Sequence, residues 1–157
     1  AIGLIEPDGS TRIVATGLAV PNGIARLPGE PTLVVTETNG GRILSFPIHD
    51  DGSLGPADVF ADLGPGRRPD GLCVDAEDAI WVGCYDTGEF LRVLRGGTVT
   101  HRVEIDRGWA VATALGGADG RTLYLMVDDT NIRDLTKGVS TGQIMQTRVD
   151  VPGVESP

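Results

Sequence analysis

The chain has 157 residues and a formal net charge of −9, with a sequence pI near 4.5. That balance argues against nucleic acid as a partner, since phosphate contacts need a basic face. No run approaches the ~18 apolar residues of a membrane-spanning helix, whereas an apolar content of 40% suffices for a packed core.

The 23 Gly and 10 Pro lie between short apolar runs, so they read as turn residues of an all-β protein rather than as disorder. Strands are expected over 3–6 and 11–16, joined at Pro7-Asp8-Gly9-Ser10, because Asp-Gly is a strong hairpin signal. Pro21-Asn22-Gly23 then opens a run of four strands over 23–26, 32–38, 42–48 and 57–63. Its turns fall at Pro28 to Pro31, Asn39-Gly40-Gly41 and His49 to Gly52. A linker, Gly64 to Arg68, delivers the chain to Pro69-Asp70-Gly71, and four further strands are expected over 71–75, 80–85, 89–95 and 98–105. A third unit starts with strands over 110–115 and 122–127, then breaks into a polar stretch, Asp128 to Thr141, read as a long loop. A last strand is expected over 143–149, and the tail 152–157 shows no pattern.

Asn22 and Asp70 thus hold the same place in successive units, about 48 residues apart. A repeat of ~40–50 residues made of short antiparallel strands is the mark of a propeller blade. The expectation is one partial β-propeller domain over residues 1–157: blades at about 21–63, 69–105 and 109–150, with 3–16 forming the outer strands of a preceding blade. The set does not close, so the chain reads as part of a ring.

Three segments carry a family resemblance: VPNGIA at Val20 to Ala25, PDGLCVDAEDAIWVGCY at Pro69 to Tyr85, and ALGGADGRTLYLMV at Ala114 to Val127. Their order and spacing resemble the senescence marker protein (regucalcin), gluconolactonase and luciferin-regenerating enzyme family, and VDVPG at Val149 to Gly153 is similar to the end of many members. The resemblance implies the C-terminal half of a six-bladed β-propeller holding one divalent cation in its central channel. It implies Asn22 and Asp70 as metal ligands and Asp70 as the catalytic group, in hydrolysis of a small lactone. An amide and a carboxylate are hard oxygen donors suited to Ca²⁺ first, with Mg²⁺, Mn²⁺ or Zn²⁺ as alternatives. The family's glutamate ligand and its substrate-binding arginine and asparagine have no counterpart here. A missing N-terminal half or a second copy of the chain is therefore expected to complete the ring.

Other readings stay open beside this one. Asn-Gly and Asp-Gly are ordinary turn pairs, and a propeller without catalysis, binding a ligand or a protein, fits the same strands. Asp75 and Glu77 are assigned to a hairpin connector, Trp81 and Tyr85 to packing between blades, with a substrate-wall role for Tyr85 as a minor alternative, and Glu37 and Asp128 to turn or solvated roles, with a channel-facing position as the alternative. Arg67 and Arg68 are placed in a solvated loop, with a channel-mouth position attracting an anionic substrate as the alternative. Cys73 and Cys84 read as reduced core thiols, which suits a cytoplasmic protein.

Overall fold

A computed structural model describes residues 1–154. Its thirteen strands form four antiparallel sheets. The first holds β1 (Ile2–Ile5) and β2 (Thr11–Ala15). The second orders β3 (Pro21–Arg26), β4 (Thr32–Glu37), β5 (Arg42–Pro47) and β6 (Asp58–Asp62) as a meander. The third does the same with β7 (Pro69–Val74), β8 (Ile80–Cys84), β9 (Glu89–Val93) and β10 (Val99–Glu104). The fourth has three strands: β11 (Trp109–Gly116), β12 (Thr122–Asp129) and β13 (Thr141–Arg148).

Side chains alternate across a strand, and here both faces of the middle sheets are covered. In β4, Val34 joins the core between the second and third sheets, while Val35 turns the other way and packs with Ile2, Leu44 and Phe46. In β8, Ile80 and Val82 face the second sheet, and Trp81 faces the fourth with Phe90, Leu123 and Leu125. This accounts for β8 and β9 being buried at every position, Glu89 and Arg92 included: a sheet packed on both sides has no solvent face to encode. Each large side chain so buried contributes about 1.5–3 kcal/mol. Outward along each blade the pattern lapses, and β10 and β13 are largely exposed.

The sheets pack face to face about their first strands. β3 lies against β7, and β7 against β11. Close approach is possible because glycines sit at the contacts. A Cβ on Gly71 would collide with Ala112, and one on Gly23 would lie 2.7 Å from both the Asp70 carbonyl oxygen and the Leu72 nitrogen.

The stretch expected as a structureless loop contains a single helical turn, Ile132–Leu135, which sequence reading missed. Asn131 caps it by accepting from the Asp134 amide, and four residues leave no periodicity to detect. β13 begins at Thr141, two residues before the expected start. The tail is not featureless either. Gly153 bridges Asp75, and the Ala76 amide donates 2.9 Å to the Pro152 carbonyl, lacing the end of the chain onto the third sheet. Residues 155–157 of that expectation lie outside the described residues. Among the described residues, no helix is long and apolar enough to cross a membrane.

Candidate functional site

The three innermost strands share one irregularity. In β3 the register slips between Pro21 and Ile24, in β7 between Pro69 and Leu72, and in β11 between Ala110 and Ala112. Each slip is a β-bulge, a device that re-aims a side chain and is frequent beside active sites. The bulged residues are Asn22-Gly23, Asp70-Gly71 and Val111. The two residues singled out from sequence therefore occupy the same structural position in adjacent blades, and in the third blade that position is apolar.

The local chain explains why the bulges hold. The Thr36 hydroxyl donates 2.7 Å to the Asp70 carbonyl and also reaches the Gly23 carbonyl at 3.3 Å. The Thr38 hydroxyl donates 2.7 Å to the Pro69 carbonyl. The acceptors freed by the β7 bulge are thus satisfied by threonines of the neighbouring blade, while the Gly23 carbonyl is met from its own sheet. Two residues before Asn22, Val20 has φ of 60°. A β-branched residue rarely adopts that conformation, which costs of order 1–3 kcal/mol and is concentrated at functional sites.

Asn22 is exposed and Asp70 half-buried. Burial alone acts on the Asp70 carboxyl and raises its pKa above the ordinary carboxylate value; no cation or hydrogen-bond donor offsets it. A desolvated acid without a partner is chemically suited to a cation. Among the described residues, no group of three His, Cys, Asp or Glu side chains is arranged to hold a metal ion. Asn22 and Asp70 supply two oxygen donors of the right kind, fewer than the six to eight that Ca²⁺ takes, so the remaining positions belong to water or to groups outside this set.

The neighbouring acids resolve into structural roles. Glu37 is 2% exposed, accepts from the Ala19 amide at 2.7 Å and pairs with Arg42 at 2.6 Å. Asp128 accepts from the Ser140 hydroxyl. Asp75 is fully buried: one oxygen accepts from the Glu77 and Ala79 amides, and the other takes the Arg92 guanidinium at 2.7 Å. Cys73 lies opposite Trp81 and Cys84 opposite Pro69 on the paired strands, and both are free thiols.

Residues 1–128 match the family described as SMP-30/Gluconolactonase/LRE-like region. The chain belongs to that family. It is similar to 6-deoxy-6-sulfogluconolactonase of Pseudomonas putida, 28% identical over 98% of this chain and 54% of that protein. Among solved structures it resembles regucalcin of Agrobacterium tumefaciens, a calcium-binding protein, with a TM-score of 0.78 and 24% identity over 95% of this chain and 52% of that one. It also resembles a gluconolactonase of Xanthomonas campestris, with a TM-score of 0.62 and 30% identity over 76% of this chain and 39% of that one. The chain spans about half the length of the curated relatives it matches. As a family member it has the propeller arrangement those structures share.

Sequence reading gave neither the pairing of Trp109 with Tyr85 nor the different surroundings of Arg67 and Arg68. Trp109, at the head of β11, packs against Tyr85 in a tilted arrangement with ring centroids 5.4 Å apart. Arg67 and Arg68, adjacent in sequence, do different work. Arg67 is tied inward to Glu89 at 3.0 Å and to the Leu63 carbonyl at 2.7 Å, whereas Arg68 stays on the surface and donates 3.1 Å to the Tyr85 hydroxyl. Only the Trp-Tyr spacing in the fold, not in the chain, reveals the first; nothing local distinguishes the two arginines.

Proposed function

We propose that the protein hydrolyses small sugar-acid lactones with the help of a divalent cation, Ca²⁺ foremost. The observation that carries this reading is the pair of matched bulges that start β3 and β7 and offer one amide and one unpartnered acid, Asn22 and Asp70, at neighbouring positions. Relatives named as a 6-deoxy-6-sulfogluconolactonase and a gluconolactonase support lactone hydrolysis as the reaction class.

Asn22 and Asp70 would hold the cation, which when bound supplies Lewis-acid polarisation of a carbonyl. The chain's own part is to orient and to take a proton. The Asp70 carboxylate accepts a proton from the attacking water. Thr36 holds the Asp70 backbone from behind, so the carboxylate stays aimed without being engaged. The apolar Val111 of the third blade leaves the acid uncompensated on that side.

The exposed outer face of the fourth sheet, with Ile144 75% exposed, and the free faces of β1 and β2, with Ile5 74% exposed, are where the rest of the propeller would pack. That rest is a further half of the protein or a second copy of the chain, and native mass in solution distinguishes them.

The test is lactone hydrolysis by the Ca²⁺-supplemented protein against its Asp70→Asn variant. Removal of a general base costs about 10²–10⁴-fold in rate. Equal rates would end the assignment of Asp70. Absence of turnover in both, with calcium still bound, would favour a binding module.

A further inference from the structure

We infer that Arg68, Tyr85 and Trp109 form a recognition rim for lactones that carry a second, anionic group away from the reacting ester. This rests on the lactonase reading above and names the substrate class of the same site.

The rim is built from the loop ends that flank the bulges. Arg68 precedes Asp70 by two residues, and two residues of extended chain span about 7 Å at most. Its carbonyl accepts from the Tyr85 amide at 3.2 Å, which locks the head of β7 to the end of β8. The Tyr85 ring leans on Trp109, at the head of β11, with an interplanar angle of 60°. The third and fourth sheets thus meet in a half-buried aromatic wall beside the head of β7, the strand that carries Asp70. Such a wall offers an apolar face to a sugar ring and a polar tip beside it.

Arg68 supplies the tip. Its side chain is 56% exposed and borders a polar hollow of about 480 Å³ shared with Thr38, Asn39 and Asp86. The guanidinium makes one hydrogen bond, to the Tyr85 hydroxyl, and sits 3.7 Å from Asp86. An exposed pair at that distance holds little energy. Most of its donors are therefore free to take a planar or tetrahedral oxyanion, the pairing a guanidinium fits best. Arg67 cannot share this task, since its donors are committed to Glu89 and Leu63. Carboxylate, phosphate and sulfonate offer Arg68 the same chemistry.

The test is equilibrium binding of product-like acids, so it does not depend on turnover. Trp109 reports it: of the two tryptophans, Trp81 is 2% exposed and shielded in the core, whereas Trp109 is half-buried on the rim. The probes are gluconate and 6-phosphogluconate, titrated into the Ca²⁺-supplemented protein while tryptophan fluorescence is followed. The expected result is that 6-phosphogluconate binds tighter than gluconate. Arg68→Gln should weaken 6-phosphogluconate about tenfold and leave gluconate within twofold. Asp86→Asn, which removes the competing charge, should tighten 6-phosphogluconate. Equal weakening of both acids by Arg68→Gln, no weakening of either, or no preference in the wild type would overturn the inference. Asp70→Asn should abolish lactone hydrolysis yet retain the preference for 6-phosphogluconate, so failure of the rim and failure of the lactonase reading give different results.

Discussion

The Thr36 hydroxyl donates 2.7 Å to the backbone carbonyl of Asp70, across the boundary between two blades. One threonine on the second strand of a blade thereby fixes the bulge that presents the acid of the next. Thr113 ties the next boundary in the opposite sense, donating 2.9 Å from the first strand of the fourth sheet to the Trp81 carbonyl on the second strand of the third. Thr36→Val keeps the shape and deletes the donor, leaving the Asp70 carbonyl unsatisfied. The expected cost is about 1–3 kcal/mol in urea unfolding, together with weaker calcium binding by calorimetric titration. Loss of stability with unchanged calcium affinity would detach the bulge from the metal site.

Gly23 is where the two inner strands touch. Alanine there would push its Cβ to 2.7 Å from backbone atoms of Asp70 and Leu72, which cannot rotate away as a side chain would. Overpacking of this kind costs about 1–3 kcal/mol. Gly23→Ala should lower the urea midpoint by that amount and weaken calcium binding by shifting β7. A neutral substitution would show that the sheets can part without penalty.

Calcium should stabilise the folded protein by mass action, by about 2.7 kcal/mol at a hundredfold excess over Kd. Chelation should remove that gain. Asn22→Ala and Asp70→Asn should each lower the affinity, Asp70→Asn more, because it removes the charge as well as donor strength. Thermal melts with calcium, magnesium and chelator read all three proteins in one series. A melting temperature indifferent to calcium in the wild type would remove the cation from the site.

The Asp75, Arg92 and Glu77 cluster separates buried from exposed pairing. Asp75 is fully buried and Arg92 5% exposed, with 2.7 Å between their charged atoms; Glu77 meets Arg92 at 2.8 Å with its side chain 64% exposed. Asp75→Ala strands the guanidinium and unties the hairpin amides, at a cost of about 3–5 kcal/mol. Glu77→Ala should cost no more than about 1 kcal/mol. Comparable losses from both would mean that the cluster acts as a single exposed network.

Burial pushes the thiol of Cys84 up to about 12, with the Glu89 charge adding to it, and that of Cys73 up to about 11, from an ordinary 9.0. Above pH 9 the unfolded chain gives up these protons and the folded chain keeps them, so stability falls as pH rises. The loss begins near pH 9 and proceeds towards the folded values. Each thiol contributes up to about 1.4 kcal/mol per pH unit in that window. Urea midpoints at pH 8 and pH 10 should differ accordingly, and Cys84→Ala should flatten the slope while lowering stability at both. A slope unchanged by that substitution would assign the alkaline loss to other groups.

Periodicity, turn chemistry and spacing by themselves determined the strand count, the antiparallel order and the matched places of Asn22 and Asp70. These are local or repeating signals: Asp-Gly turns, alternating apolar runs, and one motif written twice. Tertiary structure alone decided the rest. The bulges are invisible in the sequence, because a one-residue slip is defined only against a partner strand. Glu37 looked like a solvated acid until the fold buried it between the Ala19 amide and Arg42. Arg67 and Arg68 are indistinguishable as neighbours in the chain, yet one faces inward and the other the rim, because what surrounds each is supplied by residues about 20 positions away. Local preference is encoded within a few residues, whereas desolvation and pairing depend on which distant segments the packed sheets bring alongside.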